Sequence, residues 1–307
     1  MSALVLCHER QGSREEVARL IQAALQLSST VSVLMLGRQA DAQALSTLEG
    51  IDQIYATDWA PSWLADAAAR GLGDWIAQGD YRQVLMAADC VGKDLLPRIA
   101  ASLDNAMISE VVQILAADTF VRPSYAGTVM ETVQALEPRV MLTVRPMGFA
   151  PVGDANEVAV TPVAIELEVG LSQLLQRREL QSERPALDQA EVVIGAGRGV
   201  ETAEQFALIE QLADLLGAAI GGSRALVDLG LIENEYQIGQ TGKIIAPRLY
   251  IAVGISGASQ HLAGIKQAGT IVAIDVDAAA PLMQEADYSL QGDLNTILPQ
   301  LIAELQK

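Results

Sequence analysis

Four short stretches in the second half of this 307-residue chain bring together residues that could hold a phosphorylated ligand. The first, "IGAGRGVETAEQF" (Ile194–Phe206), ends an apolar run in glycines around Arg198. Glycines let a backbone approach a phosphate closely, and a guanidinium fork adds charge-assisted hydrogen bonds. It is not a dinucleotide fingerprint, because the third glycine would fall at Val200. The second, "AAIGGSRALVDLG" (Ala218–Gly230), sets Ser223 and Arg224 behind two glycines. The third, "YQIGQTGKIIAP" (Tyr236–Pro247), looks like a P-loop but is not one. Only two residues separate Gly239 from Gly242, and Ile244 follows Lys243 where a hydroxyl is needed for Mg²⁺. The fourth, "RLYIAVGISGASQHLAG" (Arg248–Gly264), runs as a strand, breaks at Gly254, and delivers Ser256, Gln260 and His261. His261 is one of only two histidines. Taken singly, each stretch is also what a tight turn, a surface arginine or a satisfied core histidine would look like.

Other chemistries find no support. Two distant histidines and two lone cysteines give no metal-ligand spacing. No Ser-His-Asp order or nucleophile elbow stands out. With 38 acidic and 20 basic side chains, for a net charge of −18, the chain has no basic run to displace counterions from nucleic acid. An anionic ligand would have to be met by backbone N–H groups and a few placed arginines. No apolar run reaches the ~18–20 residues of a membrane helix, and "MSALVLCHERQGS" has no basic leader. The expectation is a cytoplasmic protein, with Cys7 and Cys90 as small core residues.

The elements that must position the loops follow from periodicity. In the first half, "ALVLC", "VSVLMLG", "IDQIYAT" and "QVLMAA" read as strands. They alternate with the helical patterns "SREEVARLIQAALQL", "APSWLADAAARGLGDWIAQ" and "GKDLLPRIAASL". That alternation implies a parallel sheet with helices on its faces. After Ser109 come "EVVQILA", "TFVRPSY", "TVMETVQAL" and "RVMLTVRP", joined by connections so short that hairpins are expected. "LSQLLQRRELQSERPALDQA" reads as a linker, with a boundary near Glu179. The second half is α/β again, and its helix "TAEQFALIEQLADLLG" stops at Gly217, a good C-terminal cap. The fold class expected is therefore α/β in two domains. Residues 1–179 form an α/β domain with a partly antiparallel sheet region, and residues 180–307 form a doubly wound parallel-sheet domain.

In this order, "GRG", "GGSRA", "QIGQTGKIIAPRLYIAVGISGASQHLAG" and "TIVAID" resemble the alpha subunit of electron transfer flavoproteins. The match is densest from Val192 to Asp293; "ISEVVQILAADTFVRPSYAG" and "MLTVRP" resemble the family's middle segment more loosely. The resemblance implies a heterodimer with a beta subunit and one FAD, held mainly by the C-terminal domain. It implies a carrier, not an enzyme with its own substrate. Electrons would pass from dehydrogenases, such as the acyl-CoA dehydrogenases of fatty acid β-oxidation, to a membrane quinone oxidoreductase. The family's FAD positions fall on Arg198, Ser223, Arg224, Gln237, Ile238, Gly239, Gln240, Thr241, Ser256, Gly257, Ala258, Ser259, Gln260, His261, Asp275, Asp293 and Leu294. By the same resemblance His261 donates to the flavin edge that becomes negative in an anionic semiquinone. Arg224 lies against the ring as a positive charge, Thr241 bonds N5, and the first domain supplies partner contacts.

Two positions depart from the family pattern. Ser259 replaces an aliphatic residue before the Gln-His pair. Asp275 puts a carboxylate where an amide would face the adenosine half of FAD. The residues alone also admit an NAD-dependent catalyst, with His261 as base or electrophile, or a non-redox nucleotide-binding module.

Overall fold

A computed structural model describes residues 2–9, 13–155, 157–176, 184–187 and 189–307. The chain divides into two compact units, residues 1–178 and 179–307. The boundary expected near Glu179 lies outside the described residues.

The first unit is built on β1 (Ser2–His8), α1 (Arg14–Leu25), β2 (Val31–Leu36), α2 (Gln39–Gln43), β3 (Gln53–Ala56), α3 (Ala65–Gln78), β4 (Tyr81–Ala87) and α4 (Cys90–Ser102). It continues through β5 (Met107–Val111), β6 (Gln113–Ala116), β7 (Thr119–Ser124), β8 (Val129–Gln134), β9 (Val140–Val144) and β10 (Val160–Pro162). Seven strands pair in the order β10-β3-β2-β1-β4-β9-β5, all parallel. Such a sheet is covered on both faces, which is why β2 is buried at every position. One apolar layer gathers Val5, Ile21 and Leu142, and the other Leu4, Leu72 and Ile99.

Two expectations need correcting here. "RVMLTVRP" does not form a hairpin with its predecessors. It becomes β9, inserted in parallel between β4 and β5. The hairpin-linked strands are β6, β7 and β8, an antiparallel sheet of their own, so this three-stranded excursion is the crossover from β5 to β9. Cys7 is buried, but Cys90 is exposed at the first position of α4, where Asp89 caps the helix by accepting from Gly92 N at 2.7 Å.

The second unit contains β11 (Val192–Ala196), α5 (Ala203–Leu216), β12 (Ala219–Gly222), α6 (Arg224–Asp228), β13 (Leu249–Val253), α7 (Ser259–Leu262), β14 (Thr270–Asp275), α8 (Pro281–Glu285), β15 (Tyr288–Gln291) and α9 (Leu294–Leu305). Its parallel order is β12-β11-β13-β14-β15. This is a doubly wound sheet whose order reverses between β11 and β13. Gly217 does end α5, in the left-handed region at φ +59°. α5 and α9 cover one face through Ile209, Leu212, Leu298 and Ile302. Leu187, Ile245, Ile265 and Leu282 cover the other.

Candidate functional site

Strand register brings the loops together. Ala196 stands opposite both Gly222 and Val253, and Val253 stands opposite Ile274. The next residues, Ser223, Gly197, Gly254 and Asp275, therefore stand in one row at the sheet's carboxyl edge, Asp275 as the last residue of β14. That edge includes the β11/β13 switch point, where open α/β sheets bind ligands.

The first and fourth loops are laced to each other. Gly197 N donates to Val253 O at 2.9 Å, and Gly199 N to Gly254 O at 3.0 Å. A Cβ on Gly197 would lie 2.1 Å from Gly254 O, so a side chain there would push the two loops apart. The second loop is fixed by Ser223 N, which donates to Ala196 O at 2.9 Å. The third docks beside β12, where Ile238 N donates to Gly222 O at 2.8 Å. It also meets α7, where Gln240 N donates to Gln260 O at 2.8 Å.

These loops enclose a cleft of about 750 Å³, within the range of small-molecule and cofactor sites. Its lining includes Arg198, Ser223, Arg224, Gln237, Ile238, Gly239, Gln240, Thr241, Ser256, Gly257, Ala258, Gln260, His261 and Asp275. Three other expected positions lie outside that lining. Asp293 caps α9 by accepting from Asn295 N at 2.9 Å. Leu294 is buried in the core. Ser259 is exposed on α7 and donates to Gln260 Oε1. The lining also holds Glu201, Asp228 and Asp277, which the loop motifs did not single out. Asp228 was findable, since it stands four residues after Arg224 on a helix.

The polar groups of the cleft fall into three arrangements. Arg224 Nε donates to Asp228 Oδ1 at 2.9 Å, and both side chains are largely exposed. Arg224 is thus a charge balanced from its own helix. Gln237 is buried, and its Nε2 donates to Thr241 Oγ1 at 2.9 Å, so the Thr241 hydroxyl still has its own hydrogen to give. Gln237 Oε1 and Ser223 Oγ are buried with no hydrogen-bond partner. Buried polar atoms left this way cost stability unless a ligand or water completes them.

His261 is the third arrangement, a cleft-lining residue held by two internal hydrogen bonds. Its ring is buried, with Nδ1 3.2 Å from Ile238 O and Nε2 2.8 Å from the Tyr250 hydroxyl. A carbonyl oxygen only accepts, so Nδ1 carries the hydrogen and Nε2 accepts from Tyr250. Burial drives the imidazole pKa down to about 4, against an opposing pull from the Ile238 hydrogen bond. The ring is neutral at pH 7, and its single N–H is directed at Ile238 O.

The "electron transfer flavoprotein domain" model matches residues 4–168, and the "electron transfer flavoprotein FAD-binding domain" model matches residues 186–266. The chain belongs to the electron transfer flavoprotein alpha subunit family. Its alignment with the alpha subunit of Paracoccus denitrificans is 40% identical over 314 residues, covering 99% of this chain and 100% of that one. The Pseudomonas aeruginosa alpha subunit is 40% identical over 98% of this chain and 99% of its own length. The mitochondrial alpha subunit of Arabidopsis thaliana is 40% identical over 99% of this chain and 90% of its own. All of the cleft lining but Asp275 and Asp277 thus lies in a segment whose family description is FAD binding. The two unpartnered buried atoms and the glycine-lined approach fit such a group. No described helix is long and apolar enough to cross a membrane.

Proposed function

We propose that the cleft binds FAD and that the chain, joined to a beta subunit, carries electrons from flavin dehydrogenases to a membrane quinone oxidoreductase. The donors include the acyl-CoA dehydrogenases, and the carrier works in the cytoplasm. The observation that carries this reading is the convergence of four loops on one cleft containing two buried, unpartnered polar atoms, Ser223 Oγ and Gln237 Oε1. A bound flavin supplies reversible one-electron chemistry.

The chain's own residues bind and bias it. The lining carries Arg198 and Arg224 against Glu201, Asp228, Asp275 and Asp277, so bulk charge does not attract an anion. Arg198 and backbone N–H groups of the Ser256–Ala258 turn serve the pyrophosphate, since those of Gly197, Gly199 and Gly254 are spent on Val253, Gly254 and Ile274 carbonyls. Ser223 and Gln237 complete their hydrogen bonds on the cofactor. Arg224 supplies a positive group at the rim, offset in part by Asp228. Thr241, its oxygen already accepting from Gln237, donates its hydrogen into the cleft. Asp275 stays an acceptor: it takes Asp277 N at 3.0 Å and keeps capacity for a ribose hydroxyl or adenine amine. An NAD-dependent catalyst would need His261 as base or electrophile. Its lone pair is taken by Tyr250 and its hydrogen by Ile238.

The test is the identity of what co-purifies. Acid release from the complex with the beta subunit yields FAD at one per heterodimer. Release of a nicotinamide nucleotide, or a colourless complex after loading with FAD, contradicts the reading.

A further inference from the structure

We propose that Tyr250 is a positioning residue of the cleft, holding His261 as the tautomer whose Nδ1–H clamps the Ile238 carbonyl and so fixes the Gln237–Thr241 loop against α7. The geometry allows one polarity only. The chain of groups runs Tyr250 O–H, His261 Nε2, His261 Nδ1–H, Ile238 O, with contacts of 2.8 and 3.2 Å. The terminal carbonyl cannot donate, so every hydrogen in the chain points toward it. Tyr250 is fully buried on β13, and His261 is buried on α7. In such surroundings a hydroxyl or imidazole without its partner is costly, so each group enforces the other's orientation.

Space for the chain is built into the neighbouring strand. A Cβ on Gly195 of β11 would lie 1.9 Å from the Tyr250 hydroxyl. The clamp has one companion between the same segments, Gln240 N to Gln260 O at 2.8 Å. The loop that carries Gln237 and Thr241 is thus tied to α7 once through main chain and once through the imidazole. Without Tyr250 the ring loses the group that holds its far edge, and the second tie slackens.

The experiment uses the full chain co-expressed with a beta subunit and labelled with ¹⁵N-histidine. The chain has only two histidines, and a His261→Gln sample assigns the relevant resonances. Wild type at pH 7 is expected to show a protonated Nδ1 and a hydrogen-bonded, unprotonated Nε2. In Tyr250→Phe the Nε2 resonance moves to its unbonded position, and the Nδ1 hydrogen exchanges faster with solvent. The FAD dissociation constant rises by about 5- to 30-fold, the factor a lost buried hydrogen bond brings. The affinity measurement rests on the FAD reading above, whereas the spectrum does not. A complex that binds no flavin therefore sinks the proposed function while the spectrum still decides the tautomer. A wild-type ring protonated on Nε2 overturns the proposal. So does a Tyr250→Phe variant whose Nε2 resonance is unmoved, or whose FAD affinity stays within twofold of wild type.

Discussion

Arg224 and His261 both line the cleft, yet the structure gives them different surroundings. Arg224 keeps its charge, offset by Asp228. The pair is largely exposed, so each charge is well screened and worth on the order of 1 kcal/mol or less at the ring. At ~59 mV per tenfold for one electron, Arg224→Ala should lower the flavin's first potential by tens of millivolts. Asp228→Asn should raise it by a comparable amount. Redox titration of the two variants checks the signs; shifts in the same direction would mean that the pair does not act through charge.

His261 is expected to act through stability and pH. Its folded pKa is about 4 against an ordinary 6.5, so the unfolded chain binds the extra proton first. Stability is therefore full above pH 6.5 and falls as pH drops from 6.5 toward 4, by up to roughly 3 kcal/mol. Urea midpoints at pH 7 and 5 should converge in His261→Gln relative to wild type. Parallel shifts in the two proteins would place the titrating group elsewhere.

At the scale of elements, the site depends on where strands end. The row of Ser223, Gly197, Gly254 and Asp275 follows from parallel register, which no single loop motif encodes. The fourth loop then turns at Gly257, with φ +85°, where a Cβ would meet Leu282 N at 2.4 Å. Gly217 also has positive φ, +59°, but nothing lies within 4 Å of its would-be Cβ. Gly217→Ala should cost about 1 kcal/mol, the strain of a left-handed residue alone. Gly257→Ala should cost clearly more and weaken FAD binding, because Leu282 N, which donates to Ser256 O at 3.1 Å, must move. Equal denaturation midpoints for the two variants would contradict this.

The same scale shows what could be read in advance. Apolar runs closed by glycine announce β11 and β13, and Gly217 announces the end of α5, because those signals are local. The parallel seat of β9 was not legible, since short connections suggest hairpins and only the pairing with β4 and β5 reveals a crossover. Tyr250 reads as one more strand residue until its neighbour across the fold is known, and the capping bond of Asp293 to Asn295 N is likewise seen only in the structure.

On the scale of the whole molecule, the cleft's rim is exposed at Arg224, Gln240, Thr241 and Ser256, so FAD seated there as proposed would have a flank open to solvent. The chain's −18 charge adds no long-range pull on an anionic cofactor. Stable retention should therefore need a beta subunit. Gel filtration of the chain expressed alone should strip FAD that the heterodimer keeps, and a monomer retaining one flavin through the column would contradict this.

The central claim is that this cleft holds a flavin used for single-electron transfer. Stepwise reduction of the co-purified complex, followed by absorbance, tests it most directly. The account predicts one FAD per heterodimer reduced in two resolved one-electron steps, with the first step shifted by Arg224→Ala. Reduction in a single two-electron step, or a first step indifferent to Arg224, would contradict it.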